Sequence, residues 1–307
     1  MQQKTIKKSF FLKGKGLHTG IVNSIKMLPA AENSGIIFIR TDGKFINRKV
    51  LASVKNLISS RLCTTVANGE LSISTIEHLM AALAGHQIDN AIIEINGSEV
   101  PILDGSAKEF SDALHQSDVV EQKSEKKFFY IKKNFFISDE KKFISISPNN
   151  SDQLEIEYTI NYKNKLIGKQ KKKVVFGNNL KGFKKVFDSR TFCLQSDLKK
   201  IFSMGLAKGG GLENAIVISD NSILNPGGLR YFDEFVRHKI LDCFGDLYVL
   251  GVPLVGKIVC NEGGHELTHK LSKYLFSNFI CNFINKKNDF VYLKKNKKNL
   301  KKIVVNI

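Results

Sequence analysis

Between Leu154 and Tyr162 the chain alternates without a break: Leu154, Ile156, Tyr158, Ile160 and Tyr162 are separated by polar residues. That period of two predicts a strand with one buried face. Short β-branched runs at residues 35–40 (GIIFIR), 91–95 (AIIEI), 215–219 (AIVIS) and 255–260 predict further strands. Residues 74–84 change period: Ile76, Leu79, Met80 and Leu83 follow a helical spacing, and Gly85 falls where a C′ residue would end the helix. Further helices are expected over residues 107–115, 231–250 and roughly 267–283. Residues 116–127 (QSDVVEQKSEKK) lack apolar periodicity and are read as a seam. The expected organisation is a first α+β domain over residues 1–120 and a second over residues 128–285. A basic C-terminal tail over residues 286–307 follows.

Composition supports a folded chain of two ordinary domains: 307 residues, 42% hydrophobic. The net charge of +18 suits a polyanionic partner, whether nucleic acid, an anionic membrane surface or a phosphorylated substrate. Lysines are nevertheless scattered, as on solvated faces, apart from the run at residues 286–302. No aromatic-plus-basic cluster or RNA-binding motif is present, so nucleic acid is not expected as a partner. Cys63, Cys193, Cys243, Cys260 and Cys281 are widely spaced and include no CxxC pair, which predicts free thiols in a reducing compartment. The N-terminus lacks a signal-peptide core, and no apolar stretch reaches the roughly 18 residues of a membrane span. A cytoplasmic location follows as an expectation.

Chemistry concentrates in three segments. In DEFVRHKILDCFGDL, Glu234, His238, Asp242 and Asp246 recur every four residues on one helix face. Such a stripe is either a solvated face or half of a metal site. In SISTIEHLMAALAG, Glu77 precedes His78. Ser74-x-x-Glu77 fits a capping box, in which the glutamate only caps the helix. In the alternative, His78 is a third ligand and Glu77 a general base, since adjacent helical side chains diverge by about 100°. Two histidines, one aspartate and an open fourth position make the ligand set of a catalytic zinc site. In CNEGGHELTHKL, His265 follows two glycines. It is either an exposed turn residue or a cation near an oxyanion, oriented by Asp246. His269, inside the next helix, is read as surface.

With these residues the chain resembles the UDP-3-O-acyl-N-acetylglucosamine deacetylases of lipid A synthesis. The motifs are GKGLHTG (14–20), RLCTT (61–65), TIEHLMAALAG with IDN (75–90) and VPILDGSA (100–107). SRTF (189–192), NPGGLRYFDEFVRHKILDCFGDL (225–247) and GGH (263–265) follow in the family's order. The resemblance implies two similar two-layer α/β sandwich domains with the active site between them. It implies a zinc ion on His78, His238 and Asp242, with iron an alternative for such ligands. It further implies Glu77 as base, His265 as acid with Asp246 as its partner, and Thr191 near the oxyanion. Lys239 and Phe192 would contact the substrate, a UDP-linked acylated glucosamine. An insert of the second domain would line an acyl passage at residues 206–211, with Leu62 and Cys63 approaching from the first; His18 either contacts substrate or supports the site. A monomer in peripheral contact with the inner membrane is expected, and a fused dehydratase is not expected over this length. The chain departs from the family at His86-Gln87, where a glycine pair is expected, at Ala207, where cysteine is common, and at His269, where asparagine is frequent.

Overall fold

The computed structural model describes residues 1–43, 48–278 and 283–284. Two large sheets carry an α+β architecture. The first orders five strands as Phe10–Lys15, Val22–Pro29, Ala91–Ile95, Ile36–Arg40 and Lys49–Leu51. Ala91, Ile93 and Ile95 face the core from its central strand. The second sheet centres on Leu254–Asn261. On one side that strand pairs antiparallel with Lys142–Ser147, and on the other parallel with Leu154–Asn161. Phe135–Asp139, Lys169–Phe176, Phe128–Tyr130 and Phe283–Ile284 complete the sheet. The alternation at Leu154 has its expected result: Leu154, Ile156, Tyr158 and Ile160 are buried. Glu155 and Glu157 between them pair with Lys173 and Lys171 across the ladder.

Among the described residues, five α-helices accompany the sheets: α1 (Glu77–Gly85), α2 (Lys108–Gln116), α3 (Leu198–Ser203), α4 (Glu234–Tyr248) and α5 (His265–Asn278). α1 is buried almost all round, and it packs along α4. Gly245 permits the contact. A Cβ there would stand 2.0 Å from the Glu77 carbonyl oxygen and 3.0 Å from the Ala81 nitrogen, both backbone atoms that cannot yield. One glycine thus brings the helix carrying Glu77 and His78 against the helix carrying His238 and Asp242.

The structure corrects several expectations. The seam at residues 116–127 contains a strand, Val119–Glu125, paired antiparallel with Gln2–Ile6. Its half-buried positions include Gln122 and Ser124, which bond to Ala30 and Glu32. Polar residues on the inner face erased the hydrophobic period. Gly85 lies inside α1 instead of beyond it, and a Cβ there would meet the Phe183 ring at 2.4 Å, so packing accounts for the glycine. The last helix stops at Asn278, and Phe283 belongs to a strand. Cys63, Cys193, Cys243 and Cys260 are free thiols. Cys281 and the lysine run at residues 286–302 lie outside the described residues.

Candidate active site

The start of α1 is fixed by a buried acid that the sequence did not single out. Glu99 takes four hydrogen bonds: from the Thr75 hydroxyl (2.9 Å), the His18 amide (2.8 Å), and the amide and hydroxyl of Thr19 (2.8 and 2.7 Å). Thr75 has φ of 56°, an uncommon conformation for a β-branched residue, and its bond to Glu99 holds it there. α1 then begins at Glu77 with no side-chain cap. Glu77 Oε2 accepts instead from the Thr64 amide at 2.9 Å, which sets aside the capping-box reading.

Glu234, His238, Asp242 and Asp246 are all buried, so the stripe on α4 is no solvated face. Glu234 is structural. It binds the Arg190 side chain (2.9 Å) and accepts from the Arg190 and Arg230 amides, seating the SRTF segment beside α4. There the Ser189 carbonyl accepts from His238 Nδ1 at 3.0 Å. That bond places the proton on Nδ1 and leaves Nε2 with a lone pair. The Phe192 ring lies 6.3 Å from the His238 ring, and Thr191 is half-buried just before it.

His78 Nε2 and His238 Nε2 approach Asp242 Oδ1 at 3.4 and 3.3 Å. The three side chains have ligand atoms within 4.8 Å of one another. Asp242 Oδ1 is buried and has no hydrogen-bond partner among the described residues. An unpaired carboxylate oxygen flanked by two imidazole nitrogens costs free energy unless a cation meets it, so the donor set fits a divalent metal. Burial pushes the His238 pKa down to about 4, keeping the imidazole neutral as a ligand must be. Burial opposes ionisation of Asp242, but His238 and Lys239 outweigh it and hold the carboxyl well below its usual range. Lys239, expected to meet substrate, has its Nζ 2.7 Å from Asp242 Oδ2.

Beside this trio stand Glu77 and His265. His265 Nε2 lies 4.0 Å from Glu77 Oε1 and 3.9 Å from Asp242 Oδ2, while its Nδ1 bonds Asp246 Oδ2 at 2.8 Å. Burial favours neutral His265, but Asp246, Asp242 and Glu77 raise its pKa to about 9. Burial pushes Glu77 upward, only partly offset by His265 and His78. The arrangement therefore offers a carboxylate of raised basicity and an imidazolium within reach of one small substrate group.

Cys63 is buried, and burial pushes its thiol up to about 11, so it stays protonated and unreactive. Leu62 is exposed, with φ of 62°. His18 is buried, its Nδ1 3.4 Å from the Ala207 amide, while the Lys208 and Gly209 amides donate to the His18 and Leu17 carbonyls. The GKGLHTG loop and residues 206–211 thus meet directly. His269 is not on the surface: it is buried, and its Nε2 lies 2.8 Å from the Thr64 hydroxyl. Sequence reasoning missed Glu99 and Thr64. RLCTT held the signal for Thr64, a small polar residue inside a matched motif with no role attached.

A family model described as "LpxC: UDP-3-O-acyl N-acetylglycosamine deacetylase" matches residues 3–277. A UDP-3-O-acyl-N-acetylglucosamine deacetylase of Campylobacter fetus subsp. fetus is 40% identical over 277 residues, covering 90% of this chain and 92% of that protein. One of Francisella tularensis subsp. tularensis is 41% identical over 280 residues, covering 90% and 97% respectively. Another, of Helicobacter hepaticus, is 40% identical over 278 residues, covering 90% and 91%. These matches show that the chain belongs to the LpxC family of UDP-3-O-acyl N-acetylglycosamine deacetylases.

Proposed function

We propose that the chain is a zinc-dependent hydrolase that removes the N-acetyl group from UDP-3-O-acyl-N-acetylglucosamine, releasing acetate in the committed step of lipid A biosynthesis. The observation that carries this reading is the convergence of His78, His238 and Asp242 on an otherwise unpartnered carboxylate oxygen, with Glu77 and His265 alongside. A zinc ion on those three side chains supplies Lewis-acid polarisation of the acetamide and acidifies a water molecule. Glu77 Oε1 takes a proton from the attacking water. Protonated His265 directs Nε2–H at the charge developing on the carbonyl oxygen or at the departing amine, and Thr191 contributes a hydroxyl to the same oxyanion. Asp246 holds the His265 ring through Nδ1. Phe192 offers a face to the sugar, and Lys239 meets the substrate's polar part from its seat beside Asp242.

We read the chain as two α+β domains, residues 1–120 and 128–285, with the site between them. Residues 206–211 line an acyl passage that Leu62 and Cys63 approach from the first domain, and His18 either contacts the substrate or supports the site. The protein works as a cytoplasmic monomer. No helix among the described residues is long and apolar enough to cross a membrane. Peripheral contact with the inner membrane is supported by exposed Ile21, Phe202 and Leu212, which lie by sequence beside the loops that meet at residues 206–211, and by exposed Leu62, whose neighbour Arg61 reaches Met204. Lysines at 199, 200 and 208 flank them. The reading is tested by acetate release from the UDP-sugar before and after chelation. Turnover should vanish with the metal and return on adding zinc. Metal-free protein that keeps the parent rate overturns it.

A further inference from the structure

We propose that Thr64 and His269 are positioning residues for the reaction, fixing Asp246 and through it His265; the inference rests on the hydrolase reading above. Thr64 touches both sides of the acid–base pair. Its amide donates to Glu77 Oε2 at 2.9 Å, and its hydroxyl lies 2.5 Å from Asp246 Oδ1. His269 Nε2 reaches the same hydroxyl at 2.8 Å. Thr64 and Asp246 have no exposed surface, and His269 is 7% exposed.

The proton count settles the directions. A hydroxyl has one hydrogen, and an ionised carboxylate only accepts. The Thr64 hydrogen therefore goes to Asp246 Oδ1, and His269 must donate Nε2–H to the Thr64 oxygen. Asp246 Oδ2 accepts from His265 Nδ1 at 2.8 Å. Both oxygens of Asp246 are then held, one from α5 and one from the loop that binds Glu77, so the carboxylate cannot rotate and the His265 ring keeps its tautomer. His265 and His269 share one face of α5, four residues apart, with ring centroids 6.0 Å apart.

By residue type, Asp246, His265 and His269 also suit a second metal, with ligand atoms within 4.8 Å. The Thr64 oxygen, however, lies 2.5, 3.4 and 2.8 Å from their respective atoms and fills the space among them. The geometry is that of a hydrogen-bond relay.

The test uses the metal-loaded full chain. Thr64→Val keeps the shape and removes the hydroxyl. It should lower kcat about 10- to 100-fold, the usual effect of removing a group behind a catalytic residue, with KM within about twofold and metal content unchanged. Thr64→Ser should restore most of kcat. His269→Leu should fall in the same way, and His269→Asn, which keeps an N–H donor, should recover part of the loss. Should Thr64→Val fail to fold, the His269 pair decides alone. Parent-like kcat in both Thr64→Val and His269→Leu overturns the inference, as does a loss confined to KM or metal content, or a Ser variant no better than Val. Failure of the hydrolase reading would show in the parent instead, as turnover indifferent to chelation.

Discussion

Glu77 and His265 sit within 4.0 Å of each other, and both are displaced upward for different reasons: burial raises Glu77 from its ordinary value, while Asp246, Asp242 and Glu77 raise His265 to about 9 against its burial. The proposed mechanism needs the first deprotonated and the second protonated. Falling pH protonates Glu77, and rising pH through about 9 discharges His265, so kcat/KM should trace a bell. Its alkaline limb should lie well above the ordinary histidine value of about 6.5. Asp246→Asn removes the main raising charge, burial then dominates, and that limb should move to lower pH. A limb that stays in place in Asp246→Asn contradicts the pairing. Glu77→Ala should keep its metal and lose about 100-fold or more in kcat, the scale of a positioned general base. His238→Ala should lose the metal itself. Kinetics paired with metal analysis separate the two roles.

The elements are positioned by close contacts at few residues, and two of these make predictions. Gly245→Ala forces a Cβ toward the Glu77 carbonyl, so α1 and α4 must part. Overpacking of this kind costs about 1–3 kcal/mol. Gly245→Ala should lower the denaturation midpoint and weaken metal retention together, because the same helix pair carries the proposed ligands. Lower stability with undiminished metal affinity would separate the contact from the site. At the end of α1, His86 bonds the Ser111 hydroxyl on α2 at 2.8 Å, and burial pushes its pKa down to about 4. A histidine depressed below its unfolded value of about 6.5 binds more protons unfolded than folded. Its stabilising effect is whole above about pH 6.5 and is lost as pH falls towards 4, up to about 3 kcal/mol. Denaturation midpoints followed over that window should fall less steeply in His86→Gln than in the parent. Strands and helices with a hydrophobic period were legible: the run from Leu154 to Ile160 folds as its alternation says. Val119–Glu125 was not, because hydrogen-bonded Gln122 and Ser124 stand where apolar side chains would have marked the face.

For the molecule as a whole, the clustering of His78, His238 and Asp242, with Glu77 and His265 beside them, was legible because each motif carried distinctive residue types at telling spacings. What joins them was not. Glu99, Thr64 and the burial of His269 depend on segments far apart in sequence, such as 64, 246 and 269, meeting inside the fold. A threonine or a helical histidine shows nothing of that in a single sequence. The charge of +18 acquires a role at this scale if the lysines around residues 199–208 meet anionic headgroups while Ile21 and Phe202 enter the bilayer. Cosedimentation with vesicles containing anionic lipid should then fall with added salt and with Ile21→Ser or Phe202→Ser. Unchanged binding in both variants would contradict that orientation.

The hydrolase reading stands or falls with one divalent ion held by His78, His238 and Asp242. X-ray absorption at the metal edge of the purified protein, together with its metal content, decides whether that ion is there. The predicted result is one ion per chain in a shell of nitrogen and oxygen, with the outer-shell pattern of two imidazoles, and its loss in His238→Ala. A shell containing sulfur, or a spectrum that His238→Ala leaves unchanged, would contradict the claim.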